Sequence, residues 1–138
     1  MLSKTAEYAL RAAVCLAAEH GSALSAEKLA EATRIPRRYL NRVLQDLAAA
    51  QILQSKSGPG GGYALLADHR NLTILDVINA VAPIERIRTC PLGIAAHQRL
   101  CPLHAELDRA FANIENAFSK VTIDKLLWSS SPVVPLCG

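Results

Sequence analysis

Residues 35–47 most constrain the fold, because apolar and polar side chains recur there with the period of an α-helix. The apolar side chains follow the i, i+3, i+4, i+7 spacing of a buried stripe and are Leu40, Val43, Leu44 and Leu47. The polar side chains repeat that spacing on the other side and are Arg38, Asn41, Arg42 and Gln45. The segment therefore predicts an amphipathic helix with one face in a core. Its polar face fits either solvent or the base edges of a DNA major groove, which forked side chains of these types can read.

Positive charge is concentrated at this helix. The chain has 138 residues and a formal net charge of +3. Four arginines and no acid lie within residues 34–42, and they are Arg34, Arg37, Arg38 and Arg42. Such a local concentration favours nucleic acid over polyanions in general as the partner.

The composition is typical of a helical protein of one domain. Hydrophobic residues make up 51% of the chain and aromatic residues only 4%, so Ala and Leu supply most of the apolar content. No apolar run approaches the ~18 residues that a membrane span needs. Glu7, Arg11 and Glu19 interrupt or close the one segment that resembles a signal peptide. We expect a cytoplasmic protein without a membrane partner, and not an enzyme, because no nucleophile–base pair stands outside the cysteine region.

Two further helices are predicted before the amphipathic one. The first is capped by Ser3 or Thr5 and runs to about residue 19, and the second spans residues 25–33 with Ser25 as its cap. A tight turn then leads to Pro36, whose fixed φ suits a first helical position. Two helices joined by a tight turn, with the polar face on the second, predict a helix-turn-helix.

A glycine-rich segment follows the amphipathic helix. Residues 52–55 and 62–66 have strand-forming patterns and flank the loop Lys56-Ser57-Gly58-Pro59-Gly60-Gly61, which predicts a β-hairpin. A nucleotide-binding glycine loop would open a helix instead. A hairpin directly after a recognition helix is the wing of a winged helix, whose glycines and Lys56 can approach a DNA backbone closely.

The C-terminal half predicts three more helices. One spans residues 74–81 with Thr73 as its cap, a long one runs from about residue 101 to residue 119, and a short one spans residues 123–128. The apolar stripe of the long helix consists of Leu103, Leu107, Ala110, Phe111, Ile114, Ala117, Phe118 and Val121. A small domain cannot easily cover so much surface, so we expect a homodimer that reads a palindromic operator in double-stranded DNA. The alternative is a core helix within one chain.

The expected fold class is mainly α with a small β-hairpin: a winged helix-turn-helix domain and a long C-terminal dimerisation helix. Residues 1–83 are the expected DNA-binding domain, residues 84–128 the sensor loop and dimerisation helix, and residues 129–138 a loose tail. Cys15 is expected to be a small core residue, and Cys137 in the tail is assigned no role.

The loop between residues 84 and 100 is the segment where chemistry is expected. Cys90 and Cys101 are separated by ten residues, which is not the spacing of a zinc ribbon. Cys101 precedes Pro102, where a helix N-terminus would stabilise a thiolate, and His104 lies one turn along. A zinc ion or an iron–sulfur cluster with His97 as a further ligand, a thiol redox switch, and cysteines without a sensing role all fit this pattern.

Together these motifs resemble the Rrf-two (Rrf2) family of winged-helix transcription regulators, the group that contains IscR and NsrR. The resemblance covers roughly residues 1–128. It rests on Leu2-Ser3-Lys4, Glu7-Tyr8-Ala9-Leu10-Arg11, Leu29-Ala30-Glu31, Pro36-Arg37-Arg38-Tyr39-Leu40, Gly58-Pro59-Gly60-Gly61-Gly62-Tyr63, Ile74-Leu75-Asp76-Val77-Ile78 and Cys101-Pro102-Leu103-His104.

The resemblance implies a homodimeric regulator in which the third helix and the wing contact the operator and the long helix crosses its mate. We expect a repressor, with base contacts from Arg38, Arg42 and Gln45 and phosphate contacts from Tyr39, Ser57 and the wing backbone. The full set of expected DNA-contacting residues is Arg37, Arg38, Tyr39, Asn41, Arg42, Gln45, Lys56, Ser57, Gly60 and Gly61.

Many members of this family bind an iron–sulfur cluster in the loop before the long helix, commonly through three cysteines. Cys90 matches the first of these and Cys101 the last, and no cysteine lies between them, where the pattern places one. His104 matches a ligand histidine of the IscR type, and Glu7 matches an acidic position that in some members reaches the cluster of the partner subunit. The resemblance thus implies an iron–sulfur cluster, two-iron–two-sulfur rather than four-iron–four-sulfur. The alternatives are a regulator that responds through thiols or a small molecule, and a cluster- or metal-binding protein without DNA function.

Overall fold

Six α-helices and one β-hairpin make up the part of the chain that the computed structural model describes, which is residues 2–129, 131 and 133. The elements are α1 Lys4–Ala18, α2 Ala26–Thr33, α3 Arg37–Ala49, β1 Leu53–Lys56, β2 Gly62–Leu65, α4 Ile74–Val81, α5 Pro102–Ser119 and α6 Ile123–Leu127. Cys137 and most of the expected tail lie outside the described residues. No helix within the described ranges has the length and apolar character to cross a membrane.

Four of these helices have a residue with a hydroxyl side chain as their N-cap. Each accepts a hydrogen bond from the backbone N–H three residues on, and the residues are Ser3, Ser25, Thr73 and Thr122. Ser3 rather than Thr5 therefore caps α1, because Thr5 is already helical. At α4 the carboxylate of Asp76 also accepts from the N–H of Thr73, which completes a capping box.

The core is built around α1, against which α2, α3, α4, α6 and β2 all pack. The four apolar residues of α3 that the sequence assigns to a buried stripe are at most 1% exposed. Burying each such Leu or Val side chain contributes about 1.5–3 kcal/mol before conformational entropy is counted. Ile123 of α6 is buried in the same core, and Cys15 of α1 packs half-buried against it. The C-terminal helix thus returns to the domain that holds the helix-turn-helix.

The turn between α2 and α3 has no glycine, and Arg34 itself adopts the left-handed conformation with φ of 58°. Pro36 lies one position earlier than the sequence predicts, at the N-cap of α3 rather than at its first helical residue. The proline ring fixes φ but not ψ, and a ψ of 135° keeps Pro36 outside the helix. Its carbonyl oxygen accepts from the N–H groups of Tyr39 and Leu40.

The hairpin pairs Leu53 with Leu65 at its base and Lys56 with Gly62 at its tip. Each strand ends within one residue of the sequence prediction. Leu24, just before α2, exchanges two backbone hydrogen bonds of 2.8 and 2.9 Å with Tyr63 of β2. The wing is therefore fastened directly to the start of the helix-turn-helix.

Candidate nucleic-acid interface and cysteine loop

The outer face of α3 is polar and open to solvent along its length. Its exposed side chains are Arg37, Arg38, Tyr39, Asn41, Arg42 and Gln45. Two carboxylates approach this face, with Glu27 3.8 Å from Arg37 and Asp46 4.0 Å from Arg42. Exposed ion pairs of this length contribute roughly 0–1 kcal/mol, so both arginines can exchange them for phosphates or bases.

Arg38 and Tyr39 contact each other on this face in two ways. The guanidinium carbon of Arg38 lies 4.6 Å from the centroid of the Tyr39 ring, and its Nη2 donates to the Tyr39 hydroxyl at 2.8 Å. The ring of Tyr39 in turn lies 6.1 Å from that of Tyr8 on α1, with an interplanar angle of 34°. The helices α3 and α1 therefore contact each other through an aromatic pair.

Arg11 joins the same region to the end of α2. It pairs with Glu7 at 3.1 Å, donates to the carbonyl oxygen of Thr33 at 3.3 Å and lies 5.5 Å from the ring centroid of Tyr8. Neither Tyr8 nor Arg11 is among the residues that the sequence predicts to act at this face. The i, i+4 spacing of Glu7 and Arg11 is a signal that could have revealed the ion pair, whereas the contact with Thr33 joins residues far apart in the sequence.

The wing presents Lys56, Ser57 and Gly60 to solvent, and Gly61 is half-buried. The N–H of Gly61 donates to the carbonyl oxygen of Gly58 at 2.9 Å, so it is used inside the loop. Gly58 and Gly60 have φ angles of 84° and 73°, which favour glycine. This geometry leaves the loop tip free of bulky side chains, so a phosphate backbone could approach it.

Cys101 is the N-cap of α5, as the sequence predicts, and its Sγ lies 3.3 Å from Nδ1 of His104. Cys90 is half-buried in the preceding loop, and His97 is exposed. Among the described residues, no group of three or more His, Cys, Asp or Glu side chains is placed to hold a metal ion. The structure therefore brings together two of the predicted ligands, Cys101 and His104, without a third from Cys90, His97 or Glu7 of the same chain.

An ion-pair clamp fastens the loop after α4 to α5. The guanidinium of Arg86 donates to both carboxylate oxygens of Asp108, at 2.7 and 2.8 Å, and to Glu115 at 3.0 Å. The N–H of Ile87 adds a 2.9 Å bond to Asp108. The hydrogen bonds from Arg86, reinforced by that N–H, lower the pKa of Asp108 to about 2, and the two carboxylates raise the pKa of Arg86. The loop has no periodic sequence pattern, so the ion pairs of Arg86 with α5 were not predicted from the sequence.

The apolar stripe of α5 is largely uncovered within one chain. Leu103 and Leu107 are 64% and 42% exposed, and α5 has no fully buried residue. Phe111, Ile114 and Phe118 are half-buried. An intramolecular core helix would bury this stripe, and α5 does not.

A helix-turn-helix with a basic outer face, followed by a glycine-rich hairpin tied to it, defines a winged-helix DNA-binding protein. The sequence model of the Rrf2 family, described as iron-dependent transcriptional regulators, matches residues 2–128. The chain belongs to this family.

Individual relatives agree with that assignment. The chain is 29% identical over 152 residues to a Rhodobacter capsulatus protein described as an rrf2-like HTH-type transcriptional regulator, covering 99% of this chain and 98% of that one. The fold of this chain is similar to that of T. potens IscR, with a TM-score of 0.77 and 20% identity. The match covers 95% of this chain and 88% of that one. The fold is also similar to that of CymR, the global cysteine regulator of B. subtilis, with a TM-score of 0.75, 23% identity and coverage of 91% and 95%. The chain is accordingly a DNA-binding transcription regulator and not an enzyme.

Proposed function

We propose that this regulator is a dimeric repressor that binds a palindromic operator through α3 and the wing, and that the Cys90–Cys101 loop controls its affinity. The observation that carries the proposal is the exposed arginine and amide face of α3 beside an open glycine wing. Arg38, Arg42 and Gln45 are the proposed base-reading residues. The wing residues Lys56, Ser57, Gly60 and Gly61 are proposed to follow the backbone.

Selection of duplexes from a random-sequence pool tests the DNA-binding part of this proposal. We call the sequence that the wild-type protein enriches the operator duplex, and expect it to be palindromic. Its affinity should fall by a factor of about 10³ or more between roughly 50 and 200 mM salt, because six or more phosphate contacts release counterions. In vitro transcription from a promoter that contains this sequence should decrease when the protein is added. An asymmetric sequence would contradict the palindromic dimer, and increased transcription would contradict repression.

Dimerisation through α5 is proposed because its apolar stripe remains exposed in one chain. Exposed Leu103 and Leu107 lie on the same face as Phe111 and Ile114, at the spacing of one helical stripe. A second copy of the same helix would cover this face symmetrically. The two recognition helices would then face successive major grooves, about 34 Å apart.

Control through the thiols of the loop is the form of regulation that the single chain supports best. Cys101 begins α5 with His104 beside it, so a chemical change at its Sγ acts directly on the start of the proposed dimer helix. An iron–sulfur cluster needs more ligands than one chain gathers in its described part.

A cluster remains the second candidate because the family model is described as iron-dependent. Cys90, Cys101 and His104 are its proposed ligands, with Glu7 of the partner subunit completing the set. Anaerobic purification followed by a visible absorption spectrum and assays of iron, sulfide and zinc decides between the two. A colourless, metal-free dimer that still binds the operator duplex supports thiol control, and stoichiometric iron and sulfide contradict it.

A further inference from the structure

We propose that Tyr39 is a positioning residue, whose ring and hydroxyl hold Arg38 in one orientation so that Arg38 is the group that contacts DNA. This assignment replaces the direct phosphate contact that the sequence suggested for Tyr39. It rests on the proposed function of α3 as the recognition helix. If Tyr39 acts only by positioning Arg38, its contribution to DNA affinity depends on the presence of Arg38.

The geometry of the pair favours positioning because it restrains both ends of the contact. Adjacent residues on a helix do not ordinarily face each other, so the long side chain of Arg38 has to turn across the Tyr39 ring. The 4.6 Å distance between the guanidinium carbon and the ring centroid shows that the charge lies over the Tyr39 ring. The 2.8 Å bond from Nη2 to the hydroxyl oxygen adds a second point of contact, which restrains the rotation of the guanidinium. One donor edge is used, and other N–H groups of the guanidinium stay available for a base or phosphate.

Tyr39 can act in this way because it is itself held by the core. Tyr39 is 45% exposed, and its ring contacts the ring of Tyr8 on α1. Tyr8 lies under the guanidinium of Arg11, which is bonded to Glu7 and to the carbonyl oxygen at the end of α2. The contact between the Tyr39 and Tyr8 rings thus links the orientation of Arg38 to the position of α1. An arginine ordered before binding loses less side-chain entropy when it meets DNA.

A double-mutant cycle on the operator duplex separates positioning from direct contact. The variants are Tyr39→Phe, which keeps the ring and removes the hydroxyl, Arg38→Ala, and the two combined. We expect Tyr39→Phe alone to weaken binding by about 2- to 10-fold, the net value of one hydrogen bond. In the Arg38→Ala background the same change should alter affinity less than about twofold, because the group being positioned is gone.

Tyr8→Phe is the matched control, because Tyr8 keeps the same ring contact and its hydroxyl makes no hydrogen bond within the described structure. It should leave affinity unchanged. A second readout is base preference: Tyr39→Phe should relax selection at the same base pairs as Arg38→Ala, which a general loss of stability would not do.

Equal losses from Tyr39→Phe in both backgrounds would show that the hydroxyl contacts DNA directly and would overturn the assignment. If Tyr39→Phe caused no loss of affinity in the wild-type background, that result would overturn the assignment as well. A wild-type protein that enriches no sequence and shows no salt-dependent binding would instead overturn the proposed function on which the assignment rests.

Discussion

At the scale of single residues, Gly62 is the most constrained position of the wing. It has a φ of 139°, and a Cβ added there would collide with the backbone carbonyl of Leu24. The same backbone approach allows Tyr63 and Leu24 to exchange their two hydrogen bonds. A side chain at Gly62 would therefore push the wing away from α2.

We predict that Gly62→Ala lowers the free energy of unfolding by about 2–4 kcal/mol, from left-handed strain and displaced backbone together. Gly21→Ala is the matched control, because Gly21 has a φ of 93° but open space around its Cβ position. That control should cost only about 1 kcal/mol. Urea unfolding at one protein concentration measures both variants. Equal losses of unfolding free energy in the two variants would contradict the role given to the Leu24 carbonyl.

Arg42 tests whether the outer face of α3 reads bases. Its side chain is 82% exposed and only loosely paired with Asp46. We predict that Arg42→Ala weakens binding to the operator duplex by about 1–3 kcal/mol and weakens binding to random duplexes much less. Arg70→Ala controls for the lost charge, because Arg70 is an exposed arginine after the wing, paired with Asp68. Equal loss on operator and random DNA would identify Arg42 as a phosphate contact instead.

At the scale of secondary-structure elements, the clamp between Arg86 and α5 has a pH signature. The pKa of Asp108 is lowered from 3.8 to about 2 by the bonds from Arg86 and the Ile87 N–H. A carboxylate with a depressed pKa adds stability that is complete above its unfolded pKa and is lost as pH falls through the folded value. The clamp should therefore hold above about pH 4 and weaken between pH 4 and pH 2.

We predict that Asp108→Asn lowers the urea midpoint at pH 7 and that its deficit relative to the wild type shrinks as pH falls from 4 to 2. Glu106→Gln is the control, because Glu106 forms an exposed i, i+3 pair with Arg109 on the same helix. It should leave the pH dependence nearly unchanged. Wild-type and Asp108→Asn midpoints that decline in parallel over this range would contradict the assignment.

The exposed stripe of α5 gives a prediction about assembly. Leu107→Lys would place a charge in the proposed interface, where it would be buried without a partner. We expect this variant to sediment as a monomer at concentrations where the wild type is a dimer, and to bind the operator duplex at least about 10-fold more weakly. Asn116→Lys, on the opposite side of the helix, should remain dimeric. Dimeric Leu107→Lys protein would show that another surface forms the dimer.

Elements set by neighbouring residues were predictable from the sequence, and contacts between distant residues were not. The buried stripe of α3 and the cap at Thr73 depend on residues within one or two turns. The contact of Tyr8 with Tyr39 and the clamp of Arg86 with Asp108 depend on how helices pack. The contact of Cys101 with His104 was predictable because the two residues are three positions apart at the start of one helix. Whether a third side chain joins them was not predictable, because that depends on how the loop folds.

At the scale of the whole molecule, α5 is attached to the rest of the chain along its length and just after its last turn. Arg86, in the loop after α4, pairs with Asp108 and Glu115 in the middle of α5. After α5, the N–H of Ile74 bonds the carbonyl oxygen of Val121 at 2.9 Å, and that of Ile123 bonds the carbonyl oxygen of Leu72 at 2.8 Å. Since α4 and α6 both pack on α1, a displacement of α5 would be passed to the core helix that carries Tyr8.

This connection leads to a prediction about the proposed control of DNA binding by the Cys101 thiol at the start of α5. A peroxide that oxidises Cys101 to a sulfenic acid places a new polar group against His104 and disturbs the first turn of α5. In the proposed dimer the two recognition helices must match one turn of DNA, so a small change in the angle of α5 would weaken binding. We predict that peroxide lowers the affinity of the wild type for the operator duplex about 5- to 150-fold, that thiol reductant restores it, and that Cys101→Ser abolishes the response. Cys15→Ala, which changes the core thiol of α1, should respond like the wild type. A full peroxide response in Cys101→Ser, measured by fluorescence anisotropy, would place the sensing group elsewhere.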